Sequence, residues 1–506
     1  MPPASPAERL WWDVIVFAVG VYAGASRLSD NSFLTHLATG RLIRSGLIPH
    51  RDVFTFESAG RHTVVQSWLA SWWYATLESI GGAGLIRCFV AAVSGLLAWL
   101  VWRLSAPATA LVGRLALVTG ALVVGLIWWN ERPQLIAFVL FCLAALVMVE
   151  RKSRWWLVPI FGLWVNIHGS FPLGLAVVGA FWLISMADSR QAAKFPGKPG
   201  TRESGDRESG DRESGDRESV REGRGWMVPG IVDGCHAMCA GMVGTVAGAA
   251  VSPYGMELVT FPLGLLRRSD SLIFMSEWRP LAASGVSSVV FLAVSVASLA
   301  LLVLRRMWLR FLVASVFMAL ALMAVRNVVM ASLVLVPLAA PACNGIGTLS
   351  LRMRRTQRGV RVAVAGVLAV AIAWIVATPD YQFGAYPVAA IDWMESKGYV
   401  ANPKVKVLAP DYVGNYLEWR YGRDANAWLD DRAELHPYTS VRDYVLLLSG
   451  KGPTATLLDR HPHDLILWQR DSKLEPWLEN SDDYTVVYSD AHALVACRRG
   501  ASLACD

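Results

Sequence analysis

Apolar residues recur in long blocks through the first three quarters of the chain. They occupy residues 11–27, 84–103, 110–128, 133–149, 155–168, 170–187, 229–251, 286–304, 308–324, 328–341 and 361–378. As α-helix, a block of about 17–25 residues matches the hydrocarbon thickness of a bilayer, so the pattern predicts about eleven transmembrane helices. Blocks 155–168 and 328–341 are short, which leaves a tilted or partly re-entrant path open. Segments 33–45 and 65–80 are helical in period but amphipathic. Trp68, Trp72 and Trp73 suit a membrane interface, so these two segments are expected as surface helices within one large outer loop, residues 28–83.

After residue 378 the pattern changes. Short runs such as VKVLAP, NAWLDD, LILWQR, YTVVYS and HALVAC read as strands. Between them, DYVGNYLEWRYG, SVRDYVLLLSG, PTATLLDRH and SKLEPWLEN read as helices. Residues 379–506 are therefore expected as a small α/β domain behind a polytopic α-helical membrane domain, residues 1–378. Within 188–226, RESGD repeats from Arg202, with further copies at Arg207 and Arg212. This low-complexity stretch predicts a solvated, disordered loop.

Composition agrees with lipid: 54% of the 506 residues are hydrophobic and 17% charged. Globular domains carry about a quarter charged residues. The net charge of +7 therefore reads as basic loops facing the cytoplasm, with no call for nucleic acid. Arg9, the Arg151–Lys152–Arg154 group, Arg305–Arg306–Arg310 and the arginines of 352–361 fall on one side if 65–82 is not a full crossing. That solution puts the N-terminus in the cytoplasm and the C-terminal domain outside. The first apolar block has no small-residue cleavage site and is read as a retained anchor. The seven cysteines include no CxxC pair. Cys497 and Cys505 leave a disulfide open if the tail is exported.

With this topology the polar motifs gather on the outer side. Asp30, His36 and Asp52 lie in the first loop; Asn130–Glu131–Arg132 and Asn166 with His168 follow later spans. Ser252–Pro253–Tyr254 leads to Glu277–Trp278–Arg279, and Arg326–Asn327 sits between two more spans. Ionisable groups at a membrane boundary are costly unless paired or hydrated, so their coincidence across loops suggests a cavity lining. Carboxylates can accept a proton from an attacking hydroxyl, and arginine grips a phosphate bidentately. The set suits transfer of a group from a lipid phosphate to a hydroxyl outside the membrane. A Walker loop, GxSxG and HExxH are all missing from the sequence.

The order of these motifs resembles the GT-C glycosyltransferases, and more closely a group of bacterial GT-C-like membrane proteins. Their first loop reads approximately D-x-D-x-x-x-H-x-x-x-G-R. Here that is Asp30, His36, Gly40 and Arg41, followed by Asp52-Val53-Phe54-Thr55. Arg132-Pro133-Gln134, Asn166 to Gly169, Pro253 to Gly255, Glu277-Trp278 and Arg326-Asn327 follow in order. In the tail, Asn415-Tyr416-Leu417 and Asp431-Arg432-Ala433-Glu434 match further segments. Two departures stand out: Ser32 replaces the second acid of the loop pair, and Leu34-Thr35 replace an aromatic pair.

The resemblance implies a plasma-membrane enzyme with a polyprenyl-phosphate sugar as donor and a cell-envelope glycan or glycolipid as acceptor. On that reading Asp30 is the expected general base, and Asp52 and Glu277 would orient acceptor or metal. His36, Arg132, Asn166, His168, Arg279 and Arg326 are expected around the donor phosphate. A divalent cation is compatible with carboxylates beside phosphate, although the sequence offers no dedicated ligand set. Two other readings stay open. A flippase for lipid-linked sugars would use the same cavity without making a bond, and in a non-catalytic envelope scaffold a degenerate GT-C core would hold the outer domain.

Overall fold

The computed structural model describes residues 6–194, 227–266, 276–345 and 357–501. The repeat at 201–224 and Cys505 lie outside the described residues. Cys497 is disulfide-bonded. Among the described residues, five helices are long and apolar enough to cross a membrane: Trp68–Leu104, Leu111–Trp128, Phe171–Arg190, Val286–Leu304 and Val325–Cys343. Shorter apolar helices cover Leu10–Gly24, Pro133–Val149, Trp308–Met323 and Arg361–Ala377. The blocks at 155–168 and 229–251 form the helices Leu157–Ile167 and Met227–Ala250. Large side chains such as Val296, Leu312, Val370 and Ile372 are exposed on these helices, as lipid-facing residues would be.

Small residues let the apolar helices approach closely. Helix α1 (Pro6–Gly24) packs on α3 (Trp68–Leu104), and a Cβ on Gly20 would lie 2.6 Å from the Ser94 carbonyl oxygen. Likewise a Cβ on Gly248 would lie 2.3 Å from the Gly162 carbonyl oxygen, so helices 157–167 and 227–250 touch backbone to backbone. Arg87 is fully buried at one end of the α1–α3 pair. It donates to the carbonyls of Ser26 (3.1 Å), Ile375 (2.8 Å) and Thr378 (3.1 Å), and to Asp380 Oδ1 (3.2 Å). One guanidinium thereby ties the ends of α1, α3 and helix 357–377 together, satisfying carbonyls that would otherwise end in an apolar setting.

The two expected surface helices have a different setting. Helix α2 (Asn31–Arg44) forms, but most of its faces are covered, with Phe33, Leu34, Leu37 and Ile43 all buried. Of the segment 65–80, residues 68–80 are the first part of α3, which turns at Gly81–Gly82 before the apolar span begins. Gly82 has φ +65°, a value a side chain would disfavour. A Cβ on Gly40 would lie 1.9 Å from the Ser71 carbonyl oxygen, so α2 lies directly on α3. On its other side, helix 411–421 of the tail packs against α2.

The tail forms a four-stranded mixed sheet of order β1-β2-β4-β3, where β1 is Val407–Leu408, β2 Leu465–Gln469, β3 Tyr484–Ser489 and β4 Ala493–Arg498. β1 runs parallel to β2, and the other pairs are antiparallel. Both faces are covered. Ile391, Met394, Val413, Leu417, Leu465 and Leu467 fill one side, and Leu429, Leu457, Leu458, Ile466 and Trp468 the other. The run NAWLDD, expected as a strand, instead makes isolated bridges at Ala427, to Thr55 and to Val407. The first loop is thus built into the tail's sheet edge, and Leu34 of α2 lies inside the tail's core.

Buried polar contacts lock the same joint. Arg432 Nη2 donates to Asp52 Oδ1 at 2.8 Å, and Nε to Asp430 Oδ2 at 2.9 Å. Thr35 Oγ1 donates to Glu418 Oε2 at 2.9 Å, and Ser58 Oγ and His436 Nδ1 lie 2.8 Å apart. Removing one partner from a buried ion pair costs about 3–5 kcal/mol because the other charge is stranded. Arg432→Met is therefore expected to destabilise the protein by about that amount. The measurement is thermal unfolding of purified protein in detergent; an unchanged melting temperature would show that the joint does not depend on this pair.

Candidate functional site

The N-terminus of α2, the start of helix 133–149, His168, the turns at 276–278 and 325–327, and the tail at 431–434 converge on an open cleft of about 200 Å³. His36, Arg132, His168, Glu277 and Arg326, named from the sequence, all line it. Ser32, Gln66, Asp431, Arg432 and Glu434 line it as well.

Local structure explains each placement. Pro133 occupies the first turn of its helix, where no N–H is needed, and Arg132 immediately precedes it at the cleft. Arg132 Nε donates to Asp30 Oδ2 at 2.6 Å, and its Nη1 donates to Glu277 Oε1. Arg326 stacks on the Trp278 indole, 4.4 Å from the ring centroid, a favourable cation–π geometry. The Glu277–Trp278 pair thus steadies two arginines at once. Arg132 is ion-paired, and so is Arg432. Among the described residues Arg326 makes no ion pair, so its donors remain open to an anion.

The histidines are neutral-type donors. Burial, then the charges of Arg132 and Arg432, hold His36 down at about 3. Its Nδ1 lies 3.2 Å from Ser71 Oγ. The Ser170 N–H donates to His168 Nδ1 at 3.2 Å, which puts the neutral ring's proton on Nε2. A Cβ on Gly169 would lie 1.6 Å from Gln66 Nε2, so the glycine of this motif makes room for a cleft-lining amide.

Four of the sequence-predicted residues stand outside the cleft lining. Asp30 caps α2: Oδ1 accepts the Phe33 N–H at 3.2 Å, while Oδ2 accepts from Asn130 Nδ2 at 2.9 Å and from Arg132. Its carboxylate is an anchor for Arg132, and both oxygens are engaged. Asp52 is buried and holds Arg432 and the Thr55 N–H and hydroxyl. Asn166 is buried and bonds Trp68 Nε1 and the carbonyls of Gly162 and Gly248, which fixes helix 157–167 against 227–250. Arg279 is exposed, and its carbonyl accepts the Val325 N–H at 3.0 Å. Tyr254 of the Pro-Tyr-Gly motif also serves as an anchor, donating its hydroxyl to the Pro49 carbonyl at 2.9 Å.

Sequence reasoning assigned no role to Asp431. Ser32 Oγ donates to its Oδ2, and its N–H donates to Asn415 Oδ1 at 3.2 Å. Asn415 Nδ2 in turn donates to the Asn31 carbonyl at 3.2 Å, fixing the tail to the start of α2. The only sequence signal was the Asp-Arg-Ala-Glu run, one acidic cluster among several in the tail. Among the described residues, no group of three or more His, Cys, Asp or Glu side chains is placed to hold a metal ion.

Behind the cleft, Glu131 Oε1 accepts the N–H groups of Ser29 at 2.5 Å and Asp30 at 2.6 Å. Burial and the Asp30 charge push its carboxyl up to about 7. No protein-family model matches the chain, and no curated protein sequence matches it.

Glu131 makes stability depend on pH. Its carboxyl holds the proton more tightly folded than unfolded, so stability falls as the pH climbs from about 4.5 to about 7. Glu131→Gln keeps the acceptor oxygen and removes the charge. The variant is expected to be more stable than wild type at about pH 8, by on the order of 3 kcal/mol, and nearly equal at about pH 4.5. Melting curves at the two pH values check this.

Proposed function

We propose that the chain is a bacterial membrane glycosyltransferase of the GT-C kind. It moves a sugar from a polyprenyl-phosphate donor to a hydroxyl of a cell-envelope glycan or glycolipid. The observation that carries this reading is the arrangement of Arg326 and Arg132 in one cleft at the ends of apolar helices, with Arg326 making no ion pair among the described residues. A planar guanidinium with free donors binds phosphate oxygens well. Neutral His36 and His168 add donors without adding charge. The polyprenyl chain would lie among the apolar helices, and the acceptor would approach from the side of the tail domain.

On this reading the enzyme sits in the plasma membrane with about eleven spans, a cytoplasmic N-terminus and an extracytoplasmic tail. A cysteine placed at exposed Ser396 should then react with a membrane-impermeant maleimide in intact cells, above the labelling of the parent chain. Labelling only after lysis would reverse the orientation.

The activity test uses reconstituted protein, a panel of radiolabelled polyprenyl-phosphate sugars and a cell-envelope acceptor extract. Wild type is expected to consume one donor. Arg326→Ala should weaken donor binding by about 10- to 100-fold, the worth of a charge-assisted hydrogen bond. One observation favours a second reading: the expected base Asp30 has both oxygens engaged, as a non-catalytic scaffold would allow. Wild type that binds a donor and consumes none would support the scaffold and sink the transferase.

A further inference from the structure

We propose that Asp431, delivered by the tail domain, is the carboxylate that takes the proton from the acceptor hydroxyl. The inference rests on the transferase reading above. Two observations carry it. Asp431 lines the cleft beside Arg132, whereas Asp30 does not. Its Oδ2 accepts from Ser32 Oγ, while Oδ1 takes no hydrogen bond from any described residue and keeps its lone pairs for an incoming hydroxyl. The chain thus brings a carboxylate to the start of α2 from a segment 399 residues away in sequence.

The tail also sets the tuning. Burial, then the neighbouring Asp430 charge, pushes the Asp431 carboxyl up to about 7, with Asp411 acting in the same direction. The Ser32 hydrogen bond and the Arg132 charge pull it down. Tyr386, before helix 388–396, feels the charges of Asp30, Asp431 and Glu131. A base poised near neutrality suits general-base catalysis.

In the step, the acceptor oxygen forms its bond to the anomeric carbon as its proton passes to Asp431. The bond from that carbon to the phosphate oxygen breaks, and its electron pair leaves on the polyprenyl phosphate. Asp431 then returns the proton to water. No oxidant, reductant or further reactant is needed.

The test compares wild type, Asp431→Asn, Ser32→Ala and Arg326→Ala in the reconstituted assay. Donor binding is measured separately with a polyprenyl phosphate, and folding by melting temperature. Asp431→Asn should lose at least about 100-fold in kcat while binding polyprenyl phosphate within about threefold of wild type and melting normally. Ser32→Ala should stay active. Its rate should rise with pH at a higher pH than wild type, because the carboxylate has lost a stabilising donor. Asp431→Asn with near-wild-type kcat, or Ser32→Ala with an unmoved pH profile, would overturn the assignment and leave the transferase reading intact. Wild type that turns over no donor would overturn both.

Discussion

The ion pair between Arg432 and Asp52 is the contact on which the rest of the site depends. Arg432 belongs to the tail and Asp52 to the first loop, and the side chain of Asp52 is fully buried. Asp430 and Glu418 face the same guanidinium. Three buried acids around one arginine would leave excess negative charge in a dry place. The charge is relieved on Glu418, whose carboxyl burial and the Asp430 charge push well above the ordinary range. A Glu418 carboxyl shifted in that direction brings the cluster closer to balance. It still accepts the Thr35 hydroxyl, which holds α2 in place. A charge cluster of this kind adds little net stability, but it allows only one way for the two parts to meet.

That single arrangement creates the cleft. Leu34 fills part of the tail's core, and Phe54 and Phe56 pair backbone groups with Ala427. Loop and tail therefore form one body, and Asp431 is carried to Ser32 as a consequence. Three side chains at the start of α2 acquire physical reasons here. Leu34 is apolar because it enters a core, and Thr35 is a hydroxyl residue because it faces the Glu418 carboxyl. Ser32 is small and can donate, which suits a position opposite another carboxylate. An aspartate at Ser32 would place two negative groups in contact.

Much of this was readable from residue order. Long apolar blocks marked the helices, and alternating short runs marked β2, β3 and β4. The cleft residues His36, Arg132, His168, Glu277 and Arg326 were conspicuous because ionisable groups at the ends of apolar blocks stand out. What was hidden depends on which elements touch. Asn166 reads as a site residue until helix 157–167 is seen lying against Gly248, where its amide is consumed by backbone carbonyls. Asp52 reads as a catalytic acid until Arg432 arrives from the tail. Helix α2 reads as an interfacial helix because the elements that cover it, α3 on one side and helix 411–421 on the other, meet it only in the fold. Asp431 gave little signal because a water-exposed domain is full of acids, and only its place beside Ser32 separates it from the others.

Among the described residues, Arg326 is the cleft arginine that makes no ion pair, although the charges of Glu277 and Glu434 act on it. Arg132 is already matched by Asp30 and Glu277, and Arg432 by Asp52 and Asp430. A sugar linked to a polyprenyl phosphate is a diester with a single negative charge, which Arg326 alone can match. When the sugar leaves, the remaining monoester gains negative charge on the oxygen that is released. A fixed guanidinium, held by an indole and surrounded by neutral histidines, interacts more strongly with that later state than with the intact donor. On the transferase reading proposed above, such a site favours bond breaking over mere binding.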